Sequence, residues 1–330
     1  MDLKSLNVLI IGNGSGGHFF PSLKVANRLK KEKSNIYYLV SKDRVDHKNI
    51  ENSNYEYLAL DYVGLNKNYF SFFKNQIKNI KLIKNYILQN NIKLIIGFGG
   101  GLSFSASIAG LLLKIKVVIH EQNAVLGRAN KLLINKVSMY SNYDLNNESI
   151  KVVGNPIIDG SNISNVDYFD VIIVFGSQGS SSLNVVFDEF LKHYIDKYRI
   201  LFICGDNSYV YKNKNIIKKE FVFNLNDYFD NTRLVICRGG ATTLSELSTH
   251  KCKVVVIPSP YVINNHQEKN AYMFKKKYGC QIVNESDLNV DAIKTIITNN
   301  LDELKNVNKR ILIEKENHLE KFIKELKNEI

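Results

Sequence analysis

Four times along this chain an apolar run rich in β-branched residues stops at glycine, and a helical pattern follows. NVLII (7–11) enters GNGSGGH (Gly12–His18), and Lys93–Ile96 enters GFGGG (Gly97–Gly101). Val171–Phe175 enters GSQG (Gly176–Gly179), and Leu234–Cys237 enters a turn at Arg238–Ala241 that holds Gly239 and Gly240. Strands that alternate with helices pair in parallel, because each helix carries the chain back to start the next strand in the same direction. At 330 residues the chain is too long for one ordinary core and suits two domains of about 150 residues each. With two glycine turns in each half, it reads as an α/β protein of two doubly wound domains.

The coarse order follows from the same pattern. A helix runs from Phe20 to about Lys31, with strands at Ile36–Val40 and Val117–Ile119 and a helix from about Gly127. The second half has helices at Leu183–Lys192 and through Leu247, and strands at Ile200–Cys204 and Val254–Ile257, the last clear one. The expected division is 1–157 for the first domain, 158–166 for a linker rich in Gly, Asn, Ser and Asp, and 167–312 for the second domain. Asp302–Ile330 reads as a charged amphipathic helix pair, and its end, 313–330, is expected to pack back on the first domain. Leu312, Leu319, Phe322, Ile323 and Leu326 form its expected buried stripe. Open α/β sheets bind ligands beyond the carboxyl ends of their strands. All four glycine turns lie at such ends, so the expectation is one interdomain cleft.

Several function classes are excluded or demoted. Lys plus Arg number 44 against 32 Asp plus Glu, a net charge of +12, which favours phosphorylated ligands, anionic lipid or nucleic acid. No aromatic–basic RNA motif accompanies it, so a nucleic-acid partner is not expected. Cys204, Cys237, Cys252 and Cys280 are scattered without a C-x-x-C pair and read as buried thiols in a reducing compartment. The apolar stretch Ile108–Ile119 is broken by Lys114 and Lys116 and is shorter than the ~20 residues of a membrane span. The N-terminus reads as a first strand, not a signal peptide. There is no Asp-x-Asp, H-E-x-x-H, G-x-S-x-G or Cys/His cluster. The expected site is therefore metal-free and cofactor-free, built from backbone amides.

Gly12, Gly14 and Gly17 match G-x-G-x-x-G between strand and helix, the form of a dinucleotide fingerprint. Its acidic partner should end the second strand. Here Asp43 comes later, between Lys42 and Arg44, which leaves an NADP-dependent oxidoreductase as a rival. A triphosphate loop is disfavoured because His18 stands where its lysine would be. The turns otherwise offer what any anion needs, close backbone N–H groups and a helix N-terminus. His18, ionisable and inside a glycine turn, is the candidate general base. Glu121 in HEQN (His120–Asn123) is the alternative: it could orient a base or bind a sugar hydroxyl. Glu246, in CRGGATTLSE (Cys237–Glu246), suits a ribose. A nucleotide-sugar epimerase on the same fold and an RNA-binding protein are further rivals.

Tyr69–Lys93 carries Lys74, Lys78, Lys81, Lys84 and Lys93 and no acidic residue. Phe73, Ile77, Ile80, Ile83 and Ile87 form one helical stripe beside them, and Tyr69, Phe70 and Phe72 add aromatics. Part of this segment should pack on its sheet. The rest is expected to dock on an anionic membrane surface.

The stretches GNGSGGHFFP, GFGGGLSFSASIAG, VVIHEQNAVLGRANK, VVGNPI, FGSQGSSSLN, CRGGATTLSEL and IPSPYVINNHQEKNA together resemble the MurG family, the N-acetylglucosaminyltransferases of bacterial peptidoglycan synthesis, over nearly the whole chain. The resemblance implies a two-domain GT-B glycosyltransferase fold of Rossmann-like domains. It implies inverting transfer of GlcNAc from UDP-GlcNAc to the MurNAc 4-hydroxyl of lipid I, by a peripheral enzyme on the cytoplasmic face of the cell membrane. By motif it places Ser15, Gly16 and Gly17 near sugar and phosphates, Asn123 on the donor and Ser177 on the diphosphate. It sets Ala241, Thr242, Thr243, Leu244, Ser245 and Glu246 along the nucleotide, with Glu246 on the ribose. Val222 falls beside uracil, Gln267 on the donor, and His18 at the proposed base. Three positions depart from the family: Asn13 for a glycine, Gly101 for a frequent tyrosine, and Ile158 for an arginine near the donor, for which Arg238 or a lysine is the expected substitute.

Overall fold

A strand buried on both faces is apolar at every position, and this explains why the central strands stand out in the sequence. The computed structural model describes residues 3–13, 16–42, 44–51, 53–62, 69–157, 166–176, 179–193, 198–205, 211, 213–222, 224–302 and 313–330. Leu312 and the preceding part of the expected C-terminal helix pair, together with Ser15, Ile158 and Ser177, lie outside the described residues. Two compact units divide the chain, Met1–Asp159 with Glu316–Ile330, and Gly160–Lys315.

The first unit runs β1 (Asn7–Ile11), α1 (Gly16–Lys31), β2 (Asn35–Ser41), α2 (Val45–Glu51), β3 (Glu56–Leu60), α3 (Tyr69–Gln89), β4 (Leu94–Gly97), α4 (Gly100–Leu112), β5 (Lys116–Glu121), α5 (Arg128–Leu133), β6 (Ser138–Ser141) and β7 (Ile150–Val152). The second runs β8 (Phe169–Val174), α6 (Ser181–Lys192), β9 (Ile200–Ile203), β10 (Ile216–Lys219), α7 (Asn226–Phe229), β11 (Thr232–Cys237), α8 (Ala241–Leu247), β12 (Lys253–Val256), α9 (His266–Tyr278), β13 (Gln281–Ile282) and α10 (Val290–Leu301). The last helix, α11 (His318–Glu329), belongs to the first unit.

Both sheets are wholly parallel, ordered β3-β2-β1-β4-β5-β6-β7 and β10-β9-β8-β11-β12-β13. In the first, Val8, Ile10, Leu94 and Ile96 face α1 and α11, burying Phe19, Val25, Leu319, Phe322, Ile323 and Leu326 with them. Leu9, Ile11, Ile95 and Ile119 face the other way, onto Ile83 and Ile87 of α3 and Leu102 and Ala106 of α4. The second sheet repeats this alternation. Val171 and Ile173 meet Leu183 and Phe187 of α6, while Ile172 and Val174 meet Leu244 of α8 and Phe274 of α9. These are two Rossmann-like sandwiches in one chain.

Helix α3 departs from the expected single stripe. Ile83 and Ile87 are buried and Ile80 partly so, but Phe73 and Ile77 are 60% and 69% exposed. Polar groups anchor the inner face of the first turns instead. Asn79 donates to the Asp61 carbonyl at 3.0 Å, and Ser105 of α4 bonds Gln76. These buried bonds hold the Gln76–Asn79 face of the helix inward, which leaves Phe73 and Ile77 on the exposed side.

Candidate active site

In each sheet the order of winding reverses once, between β1 and β4 and between β8 and β11. The crevice beyond the carboxyl ends at such a reversal is where open α/β sheets take their ligands. All four glycine turns follow these four strands, so each unit has two turns flanking its own switch point.

His18 lies on the first turn of α1, half-buried. Its ring rests on Gly99 of the other turn. A Cβ at Gly99 would sit 3.1 Å from His18 Cε1, and Gly99 has φ +97, so both space and backbone require glycine there. His18 Nδ1 lies 2.9 Å from Gln122 Oε1, and Nε2 has no hydrogen-bond partner among the described residues. The two turns and the end of β5 thus bring one imidazole to the switch point with one nitrogen anchored.

Glu121 is placed differently from the expectation that it could serve as a base. It is 2% exposed, and its carboxylate accepts four hydrogen bonds from its own loop. Asn123 N and Nδ2 donate to Oε1 at 3.1 Å each, and Gly127 N and Asn130 Nδ2 donate to Oε2 at 2.8 Å each. A carboxylate so fully saturated braces the β5–α5 loop and fixes Asn123, which it holds through both backbone and side chain.

His120 and Gln122, for which the HEQN motif predicts no role of their own, are both buried. His120 Nε2 donates to the Gly154 carbonyl at 2.8 Å, and Gln122 Nε2 approaches His120 Nδ1 and the His120 carbonyl at 3.1 Å each. Burial lowers the His120 pKa to about 4, with the Gly154 bond opposing and His318 and His18 assisting, so the ring is neutral at pH 7. Its depressed value makes the unfolded chain the stronger proton binder between about pH 6.5 and 4. Its stabilising contribution is complete above pH 6.5 and declines by about 3 kcal/mol as pH falls to 4. Urea unfolding of wild type and His120→Gln at pH 7.5 and 4.5 checks this: the variant should lose most of that slope.

Two of the departures have physical accounts. Asn13 is buried, and its Nδ2 donates to Ser41 Oγ at 3.3 Å, tying the first turn to the end of β2. At Gly101 an added Cβ would stand 2.2 Å from Tyr62 Cε2. A ring from beyond β3 therefore fills the space beside this position, with the Arg44 guanidinium 5.3 Å above it.

In the second unit Arg238 is buried, not poised as a spare cation. Its fork bonds Glu285 at 2.6 Å, the Ile257 carbonyl at 3.2 Å and Ser180 Oγ at 2.6 Å. It clamps the start of α6 to the end of β11, its charge answered by Glu285; the expectation that it replaces the arginine absent at 158 is corrected accordingly. Of the stretch 241–246, Ala241, Leu244 and Ser245 are buried, and Ser245 Oγ donates back to the Ala241 carbonyl at 2.8 Å. Thr242, Thr243 and Glu246 are half-buried. Gln267 Oε1 accepts from Ser259 N at 2.9 Å, which commits its oxygen and turns its amide NH2 to the donor role. Val222 is half-buried beside the α8–α9 core. No helix among the described residues is long and apolar enough to cross a membrane.

Comparison with known proteins agrees with this architecture. The N-terminal domain model of glycosyltransferase family 28 matches residues 8–139, and the C-terminal domain model matches residues 171–330. A protein of Prochlorococcus marinus is 30% identical over 88% of this chain and 86% of its own length. It is named UDP-N-acetylglucosamine–N-acetylmuramyl-(pentapeptide) pyrophosphoryl-undecaprenol N-acetylglucosamine transferase. A protein of the same name from Colwellia psychrerythraea is 29% identical over 90% of this chain and 84% of that one. The crystal structure of Acinetobacter baumannii MurG superposes with TM-score 0.76 at 22% identity, covering 98% and 99% of the two chains. The UDP-GlcNAc 2-epimerase of Methanocaldococcus jannaschii gives TM-score 0.62 at 14% identity, covering 98% and 100%. These likenesses show the GT-B fold, which transferases and epimerases share. The domain matches decide between them: with both halves matched over most of its length, this chain belongs to glycosyltransferase family 28.

Proposed function

We propose that this protein moves GlcNAc from UDP-GlcNAc to the 4-hydroxyl of MurNAc in lipid I, forming lipid II with inversion at the anomeric carbon. The relatives named for this reaction, similar over nine-tenths of the chain, supply the substrates. The observation that carries the chemistry is His18, an imidazole in a glycine turn at a switch point, anchored through Nδ1 and with Nε2 unpartnered among the described residues. The hydroxyl oxygen bonds to the anomeric carbon, the bond from that carbon to the diphosphate oxygen breaks, and the hydroxyl proton passes to His18 Nε2. Glu121 is a positioning residue for Asn123.

The second unit holds the donor. Backbone N–H groups at Gly176–Gly179 and Gly239–Gly240 meet the diphosphate, each preorganised donor contributing about 3–4 kcal/mol to stabilising the leaving charge. Glu246 receives the ribose hydroxyls, the Gln267 amide donates to the sugar, and Val222 borders the uracil. Thr242 and Thr243 line the nucleotide, with Ser177 at the diphosphate. Ser15, Gly16, Gly17 and Asn123 belong to the proposed set of substrate-binding residues. Incubation with labelled UDP-GlcNAc and a short-chain lipid I should release UDP and give a β-linked disaccharide lipid. Conversion of UDP-GlcNAc without acceptor, to its 2-epimer, would sink the reading.

The acceptor is lipid-borne, and α3 fits a membrane surface. Phe70, Phe73 and Ile77 are 78%, 60% and 69% exposed, flanked by exposed Lys74, Lys78 and Lys81. Binding to phosphatidylglycerol vesicles should weaken with salt and fall about fivefold for each of Lys74→Gln and Lys81→Gln, at ~1 kcal/mol per basic residue. Co-sedimentation unaffected by salt and lipid charge would count against this docking face.

A further inference from the structure

We propose that Gln122 is a positioning residue that holds His18 in its Nδ1–H tautomer, and that His120 sets Gln122 to do so. The proposal rests on the base assignment of His18 above and says what makes that ring a base rather than a donor.

The chain of hydrogen bonds has a backbone carbonyl at two points, and a carbonyl can only accept. Gln122 Nε2 lies 3.1 Å from the His120 carbonyl, so the nitrogen end of the amide must face it; the reverse orientation would set two oxygens against each other. Gln122 Oε1 therefore faces His18 Nδ1 at 2.9 Å, and that nitrogen must carry the hydrogen. At the far end the Gly154 carbonyl, 2.8 Å from His120 Nε2, requires hydrogen on that nitrogen. A neutral His120 then has its lone pair on Nδ1, where the second Gln122 N–H arrives at 3.1 Å. Every donor meets an acceptor in one arrangement only, and in it His18 Nε2 bears the lone pair.

The relay cannot easily reorganise. Gln122 is 2% exposed and His120 is fully buried. The His120 ring packs against both Phe98 and Phe322, with ring centroids 5.7 and 5.9 Å away. Gly154 has φ +78, and a Cβ there would stand 2.3 Å from the His318 ring, so glycine is what lets this carbonyl reach His120 beneath α11. Each link is fixed by packing as well as by hydrogen bonding. A base must present a lone pair to the hydroxyl it deprotonates, and which imidazole nitrogen does so is decided by the bond the other makes.

Ring 15N NMR of the full chain, histidine-labelled and held above the imidazole titration, reads the tautomer directly. His18 is identified among the seven histidines by the signal missing in His18→Ala. Wild type is expected to show His18 protonated at Nδ1, and Gln122→Met, which keeps the length but removes both amide roles, to shift it toward Nε2–H. In the same variant kcat should fall about 10–100-fold, the range known for hydrogen-bond partners that orient metal-bound histidines, with the KM for UDP-GlcNAc little changed. Wild-type His18 protonated at Nε2, or a tautomer unmoved by Gln122→Met, overturns the proposal, and the wild-type spectrum alone suffices if the variant folds poorly. A tautomer that shifts without loss of kcat leaves the relay standing and removes His18 from the base role instead.

Discussion

Replacing His18 with alanine is expected to lower kcat by about 10²–10⁴-fold, the usual range for a positioned general base. The KM for UDP-GlcNAc should change far less, because the proposed nucleotide contacts, Glu246, Gln267 and the turns at Gly176–Gly179 and Gly239–Gly240, belong to the other unit. Fold stability should hardly move. The ring is half-buried, and its one described hydrogen bond, to Gln122, contributes about 1 kcal/mol. Steady-state kinetics with urea unfolding of the same variant separates chemistry from folding. Turnover within a few-fold of wild type would remove His18 from the reaction.

Phe322→Ala should produce the largest loss of stability, about 3–5 kcal/mol, the cost of emptying a phenylalanine site in a packed core. Phe322 is fully buried, stacked on Phe98 at 6.1 Å and edge-on to Tyr140 at 5.2 Å and His120 at 5.9 Å. The residue lies over 150 positions from each of these partners, yet it closes one face of the first sheet. Leu319, Ile323 and Leu326 bury the same face of α11, so the last helix is part of the core of the first unit. Because Phe322 also walls the His120 ring, the loss should reach the site: kcat at a temperature where the variant is still folded should drop as well. Unfolding followed by tyrosine fluorescence checks the first effect and turnover the second. A stability loss below about 1 kcal/mol would mean that α11 is not held by this contact.

The central strands were legible because burial on both faces leaves no polar positions: Asn7–Ile11 was read to the residue. The strands missed were β3, β6, β7, β10 and β13, outer or short strands with few consecutive apolar residues. In α3 the periodicity located a helix but not its rotation. Asn79 and Gln76 fixed that through partners at Asp61 and Ser105, and helical spacing cannot weigh a buried amide against an exposed isoleucine. The motif HEQN was visible, but its labour was divided differently: the carboxylate braces the loop, and the glutamine beside it reaches the imidazole. Arg238 looked available as a free cation, and Glu285, 47 residues away, had already claimed it.

The order of residues alone sets the grammar of strand, glycine turn and helix, repeated in two halves. That information is local: β-branching, side-chain period and a missing Cβ act within a few residues. Three-dimensional packing is what sets the four turns beside two switch points, closes the first sheet with α11, and brings Gln122 to Nδ1 of His18. Those depend on groups distant in the chain meeting in space, as His18 and Gln122 do across 104 residues at hydrogen-bonding distance, where one buried carbonyl that can only accept dictates the orientation of everything bonded in turn to it.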